Sequence, residues 1–148
     1  MAAALLSLAG LFVAAYLYLY KIGKIGTLVC GTGGCETVQL SPQSRFLGIE
    51  VSLYGVAGYS ALLVLSLLSL QGPLGLRRWP ELLLVLLSTT GVLFSGYLTY
   101  LELFVIHALC RWCVASAAII TLIFVAAILD WRGSSRSDLQ PRGASLAP

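Results

Sequence analysis

The sequence Cys110-Arg111-Trp112-Cys113 is followed directly by a stretch of apolar or small residues, 114–129, interrupted only by Ser116 and Thr121. This arrangement places the CxxC motif on the first turn of a membrane-spanning helix. The N-terminus of a helix carries about half a positive charge and unpaired N–H groups, which stabilise a thiolate and lower the pKa of a cysteine. The motif therefore indicates redox chemistry. The alternatives are half of a four-cysteine metal site and two unreactive thiols.

The composition is that of an integral membrane protein. Of the 148 residues, 59% are hydrophobic and only 10% are charged, whereas a soluble domain carries about 25% charged residues. The mean hydropathy of +0.94 agrees with this interpretation. The net charge of +3 is small and scattered along the chain, so the sequence provides no basic face for nucleic acid.

Four apolar segments are predicted to cross the membrane as an all-α four-helix bundle. They are residues 1–20, about 51–70, about 81–106 and the stretch from the CxxC motif to Trp131. The first segment lacks a basic start and exceeds the roughly 7–15 apolar residues of a signal peptide, so we interpret it as a retained helix. Residues 1–131 then form one transmembrane domain. Residues 132–148, rich in Ser, Gly, Arg and Pro, are expected to be a disordered polar tail.

The loop after the first span contains a second cysteine pair, Cys30-Gly-Thr-Gly-Gly-Cys35. Its glycines permit positive φ angles, which allow the two thiols to approach each other. The Ser41-Pro42 sequence that follows is typical of an N-cap residue followed by proline at the first helical position. It predicts a short interfacial helix that extends through Phe46 and Leu47.

Four spans place both cysteine-bearing loops on one side of the membrane and both termini on the other. Cys30, Cys35, Cys110 and Cys113 therefore share one face, where a compact bundle can bring the two pairs within exchange distance. Basic residues are almost evenly divided between the two sides, so they do not decide the orientation. We expect a multi-pass plasma (inner) membrane protein with the cysteines extracytoplasmic, because disulfide chemistry is favoured there. The inverted orientation is the alternative.

Two cysteine pairs on one membrane face are compatible with three kinds of site. A thiol–disulfide relay passes electrons from pair to pair through mixed disulfides. A Zn(Cys)4 site requires the same proximity, and two structural disulfides are the third possibility. We favour the relay and no metal, because structural zinc usually stabilises small soluble modules and a bundle of this hydrophobicity does not need it.

The combined pattern resembles the vitamin K epoxide reductase family in its bacterial and archaeal form. The shared features are four spans, a Cys-Gly-x-Gly-Gly-Cys loop, a serine six residues after the second loop cysteine, and a CxxC motif opening the last helix. The similarity covers roughly residues 1–131. The bacterial disulfide-bond oxidoreductase family B carries its two cysteine motifs in the reverse order, which is why we prefer the first family.

This resemblance implies a quinone-dependent thiol/disulfide oxidoreductase that supports disulfide bond formation. Electrons would pass from a thioredoxin-like (DsbA-like) partner protein to Cys30, and then from Cys35 to Cys110. Cys113 would react with a membrane quinone of the menaquinone, ubiquinone or vitamin K type. Ser41 corresponds to the loop serine of the family and would contact a quinone carbonyl.

Two positions depart from the pattern of animal members of that family. Val51 and Ala117 stand where those proteins have an asparagine and a tyrosine, respectively. Both differences favour quinone reduction over reduction of a quinone epoxide, which is the enzyme alternative. A structural or metal-binding membrane subunit is the non-enzyme alternative. Glu102, an ionisable group within a span, and His107 in the third loop are further functional candidates, with exposure at the membrane edge as the alternative for each.

Overall fold

The structure, a computed structural model, describes residues 1–31, 34–71 and 78–138, and the side chains of these except 71, 78 and 134–138. Its helices are α1 (Ala2–Lys21), α2 (Gly34–Leu40), α3 (Val51–Gln71), α4 (Arg78–Leu101) and α5 (Arg111–Asp138).

Four of these helical segments are long and apolar enough to cross a membrane. The spans are Ala2–Lys21, Val51–Leu70, Trp79–Ile106 and Arg111–Gly133. Their outward surfaces carry large apolar side chains such as Leu86 and Leu93, and a helix satisfies its own backbone hydrogen bonds, as a lipid environment requires. The predicted all-α, four-helix membrane bundle is confirmed.

Small residues let the helices of the bundle approach closely. Gly10 of α1 lies against the ring of Tyr59 of α3, and Gly91 of α4 lies against Ile120 of α5, so that a Cβ atom added at either glycine would collide with its neighbour. Close approach through small residues is the usual way in which helices pack in membranes. The buried core comprises Ala3, Ala14, Tyr59, Leu62, Leu84, Ile120, Ile123 and Ala127.

The loop between α1 and α3 contains the expected short helix, but at a different place. Helix α2 ends before Ser41, and the residues after Ser41 form only one 3₁₀ turn, Pro42–Ser44. The chain then forms an antiparallel hairpin of β1 (Arg45–Phe46) and β2 (Ile49–Glu50). The prediction of a helix from Ser41 through Leu47 is therefore wrong.

The hairpin turn explains this difference. Leu47 and Gly48 both have positive φ angles, 54° and 82°, a combination that suits a two-residue hairpin turn and ends a helix. Across the hairpin, Arg45 Nε donates to Glu50 Oε1 at 2.7 Å. The hydroxyl of Ser41 donates to the Val38 carbonyl at 2.6 Å and caps no helix that follows.

The connection from α4 to α5 is short. A π-helical turn, Glu102–Ile106, continues α4, and His107 ends it in the left-handed conformation with φ 54°. Helix α5 then begins at Arg111 and continues beyond Trp131 to Asp138, into the segment expected to be a polar tail. The rest of that segment, 139–148, lies outside the described residues.

Candidate redox site

All four cysteines gather at one end of the bundle. Cys30, Cys35 and Cys110 belong to one buried cluster, and Cys113 packs against it. Cys30 and Cys35 are joined by a disulfide, whereas Cys110 and Cys113 are free thiols. The structure therefore holds a loop pair and an inner pair side by side, which is the arrangement that disulfide exchange requires.

Close approach of backbone to backbone brings the two pairs together. A Cβ atom added at Gly34 would collide with the carbonyl oxygen of Leu109. Because Gly34 precedes Cys35 and Leu109 precedes Cys110, this contact places the two cysteines in neighbouring positions. They are also among the most buried residues described, with 1% of Cys35 and 0% of Cys110 exposed. A glycine at position 34 is thus a requirement of the site.

Val29 ties the loop pair to two helices. Its N–H donates to the hydroxyl of Tyr16 at 3.2 Å, and its carbonyl accepts a hydrogen bond from Trp112 Nε1, also at 3.2 Å. The rings of Tyr16 and Trp112 lie 5.1 Å apart, centre to centre. Since Val29 precedes Cys30, these contacts hold the loop disulfide against α1 and the start of α5.

Cys110 occupies the position expected of a reactive thiol. It lies just before the first residue of α5, and the backbone N–H of Cys113 points at its sulfur, with an N–S distance of 3.4 Å. Hydrogen bonds from the Cys113 thiol and from nearby backbone amides lower the pKa of Cys110, although burial and the charge of Glu102 oppose this. The helix N-terminus thus favours a thiolate at Cys110.

Glu102 is buried beside the inner pair. Only 3% of its surface is exposed, and its Oε2 atom accepts the N–H of Cys110 at 3.1 Å. Its carboxyl group also lies close enough to the Cys113 thiol to act on it electrostatically. Glu102 therefore does not lie exposed at the membrane edge. His107, in contrast, is exposed at the end of the π-helical turn.

A cavity of about 570 Å³ opens between α1, α3, α4 and α5 and reaches the inner pair. This volume lies in the range of small-molecule sites, which are largely apolar with a few polar groups. The polar side chains that line it include Gln39, Ser52, Tyr59, Glu102, Cys113 and Ser116. The lining has the size and chemistry needed to hold a quinone ring.

Two polar contacts in this cavity lie close to Cys113. The amide Nε2 atom of Gln39 lies 3.9 Å from the Cys113 sulfur. One turn further along α5, the hydroxyl of Tyr59 lies 2.8 Å from Ser116 Oγ and donates to the Ser116 carbonyl at 2.9 Å. Sequence analysis missed both Gln39 and Tyr59. The signal that could have found Tyr59 is a polar group within a span.

The β1–β2 hairpin contributes Phe46 to the lining of the cavity. Phe46 of the hairpin contacts Phe94 of α4, with ring centres 5.6 Å apart, and both rings line the cavity. Lys21 at the end of α1 pairs with Glu50 at 3.2 Å and also donates to the backbone carbonyl of Gln39. Ser41, the residue expected to contact a quinone, is not among the residues that line the cavity.

Comparison with known protein families found a matching family. A model of the vitamin K epoxide reductase family matches residues 1–128. The matched range contains all four cysteines, the hairpin and most of the four spans.

Proposed function

Because this chain belongs to the vitamin K epoxide reductase family, an oxidoreductase family that acts with quinones in membranes, we propose that it passes two electrons from a partner dithiol to a membrane quinone. The observation that carries the proposal is the placement of the inner pair. Cys110 lies against the loop disulfide, and Cys113 lines an apolar cavity. The inner pair thus contacts both an electron source and a space for the acceptor.

Electrons first reach the loop pair from a thioredoxin-like protein, which attacks at Cys30. Cys30 is 5% exposed against 1% for Cys35, and its neighbour Val29 is 79% exposed. An apolar, exposed residue beside the disulfide offers a contact for a partner whose thiol must reach this sulfur. Reduction by the partner dithiol converts the loop disulfide into two thiols.

The loop pair then reduces the inner pair by two exchanges. The Cys35 thiolate attacks Cys110 in an inner disulfide, so that a Cys35–Cys110 bond forms and Cys113 leaves as a thiolate. Cys30 then attacks Cys35, restoring the loop disulfide and releasing Cys110. The products are a loop disulfide and two inner thiols.

Quinone reduction closes the cycle in the cavity beside Cys113. The two inner thiols become a disulfide and supply two electrons and two protons to the quinone. The Gln39 amide N–H provides a hydrogen-bond donor for one of its oxygen atoms. A contact between Ser41 and a quinone carbonyl stays a prediction. In the structure, the Ser41 hydroxyl donates to the Val38 carbonyl.

We place the cysteine end of the bundle on the extracytoplasmic side of the plasma (inner) membrane. The reason is chemical, because protein disulfides form and persist in oxidising compartments. The thiols of newly exported proteins are then the original source of the electrons. The same cysteine relay in the inverted orientation would face a reducing compartment.

Anaerobic quinone reduction by the purified protein with a dithiol donor tests this function. We expect Cys113→Ala to lower turnover to below about one thousandth of wild type, because it removes a reacting atom. The control is Val114→Ala, an exposed neighbour on the same helix, which should retain turnover. Vitamin K epoxide, assayed beside menaquinone, ubiquinone and vitamin K, separates this activity from the epoxide reductase alternative. Wild-type protein that reduces none of these quinones would rule out the proposal.

A further inference from the structure

We propose that Glu102 is a catalytic residue that carries a proton from the inner thiols to the quinone. This inference rests on the proposed function. It gives a role to Glu102, the one buried carboxyl group among the described residues that line the cavity.

The contacts of Glu102 connect the thiols with the cavity. Its Oε2 atom accepts the N–H of Cys110 at 3.1 Å, and its carboxyl group lies close enough to Cys113 to act on that thiol electrostatically. Glu102 and Cys113 both line the cavity. A quinone held there would therefore lie beside the carboxyl group and the reacting sulfur.

The local backbone holds Glu102 in this position. It begins the π-helical turn that joins α4 to the segment before α5, and its carbonyl accepts the N–H of Ala108 at 3.1 Å. A π-helical turn inserts an extra residue into the helix, and such turns are frequent at functional sites. The turn directs the Glu102 side chain at the beginning of α5.

Proton balance creates the need for such a group. When the two inner thiols form a disulfide, two S–H bonds break, one S–S bond forms, and two electrons and two protons are released. The quinone takes up both electrons and both protons, and its two carbonyl groups become hydroxyl groups. In an apolar cavity, uncompensated charge is costly, so each proton must move with the electrons.

Glu102 can carry one of these protons without being consumed. Its carboxylate accepts the proton as the Cys113 S–H bond breaks and donates it to a quinone oxygen, which returns Glu102 to its starting state. The second proton leaves Cys110 as its thiol ionises to the thiolate that the helix N-terminus favours, and it completes the quinol. His107 does not supply this route, because it is exposed and is not among the cavity-lining residues.

The competing explanation is that Glu102 only positions Cys110. Glu102→Gln separates the two roles, because an amide oxygen still accepts the N–H of Cys110 but cannot carry a proton. The control is Glu81→Gln, which changes another buried glutamate of the same helix at the opposite end of the bundle.

The experiment mixes each pre-reduced protein with menaquinone in a single turnover and follows formation of the Cys110–Cys113 disulfide. We expect Glu102→Gln to slow this step by about 10²-fold, the usual lower range for loss of a general acid–base group, and to raise its solvent deuterium isotope effect. The apparent affinity for menaquinone should change little. Glu81→Gln should match wild type.

Two further measurements keep the test decisive. Exchange between the loop pair and the inner pair should be retained in Glu102→Gln, which verifies its folding. If that variant exchanges poorly, formate added to Glu102→Ala should restore disulfide formation, and a failure of rescue would overturn the proposal. Glu102→Gln with a wild-type rate would also overturn it while leaving the relay intact. Wild type without any turnover would overturn both.

Discussion

The two ends of the span Trp79–Ile106 each bury a glutamate beside a cavity, but only one end adjoins thiols. Glu102 at the cysteine end is 3% exposed, and Glu81 at the terminal end is 6% exposed. The cavities measure about 570 Å³ and about 360 Å³, respectively. Burial of a carboxyl group within a span is therefore common to both ends.

The neighbours of the two glutamates differ. Glu102 accepts the N–H of Cys110 and shares its cavity with Cys113. The cavity of Glu81 is lined by serines and a second acid, Asp130, together with apolar residues. Burial alone therefore does not distinguish the two carboxyl groups, whereas the thiols beside Glu102 do. Changes at the cysteine end should therefore alter electron transfer, and changes at the terminal end should not.

Of three variants at the cysteine end, Gly34→Val should have the largest effect on electron transfer. A side chain at position 34 would collide with the Leu109 carbonyl and separate Cys35 from Cys110. A displacement of about 1 Å can slow a reaction about 10²-fold, so we expect dithiol-driven quinone reduction to fall by that order. Quinone reduction by the chemically reduced inner pair should persist.

The matched control for this variant is Gly26→Ala in the same loop, where an added Cβ meets no atom within 4 Å. It should retain turnover. If Gly34→Val transferred electrons between the pairs at the wild-type rate, the close approach of the two segments would not be needed for exchange.

A smaller effect is expected from Gln39→Ala. The Gln39 amide lies 3.9 Å from the Cys113 sulfur and lines the cavity, and one hydrogen bond contributes about 1 kcal/mol, or about fivefold. We expect the KM for quinone to rise by about that factor in steady-state assays. Gln43→Ala, in the adjacent 3₁₀ turn, is the control. Equal KM values for the two variants would argue against a quinone contact at Gln39.

The smallest effect concerns the ion pairs that hold the hairpin at the cysteine end. Burial raises the pKa of Glu50, but hydrogen bonds and charge from Arg45 and Lys21 outweigh it and hold that pKa below its usual range. The stabilisation is therefore present above the unfolded pKa of about 4.3 and is lost as the pH falls through the lower folded value.

Thermal unfolding in detergent measures this contribution. Of the two partners of Glu50, the Arg45 side chain is 65% exposed and that of Lys21 is 13% exposed. Surface ion pairs are worth about 0.2–1 kcal/mol, so Glu50→Gln should lower the unfolding temperature at pH 7 by only a few degrees. The difference from wild type should shrink as the pH falls below about 4. Gln43→Ala, an uncharged change in the adjacent 3₁₀ turn, should show no such pH-dependent difference. A difference that persisted in acid would show that Glu50 acts through packing.

Much of this architecture follows from the sequence. Long apolar segments must become helices in lipid, because no other open structure satisfies its backbone there. An even number of spans places both cysteine-bearing loops on the same side. The position of CxxC before the apolar run 114–129 likewise placed Cys110 at a helix N-terminus. These conclusions need only length, polarity and connectivity.

Local signals were less reliable in the cysteine loop. Ser41-Pro42 indicated a helix start, yet α2 ends before Ser41 and a hairpin follows. A cap-like pair is compatible with a single 3₁₀ turn, and the left-handed Leu47 and Gly48 redirected the chain. The ion pairs of Glu50, formed with residues distant along the chain as well as near, then favoured the hairpin.

The sequence by itself therefore determined the membrane bundle, the shared face of the cysteines and the redox chemistry they indicate. Only the tertiary structure decided that Gly34 meets Leu109, that Gln39 and Tyr59 line the cavity, and that Glu102 accepts the N–H of Cys110. The physical reason is that these contacts join residues from different helices. Their distances depend on how side chains pack between helices, which no local periodicity or spacing records.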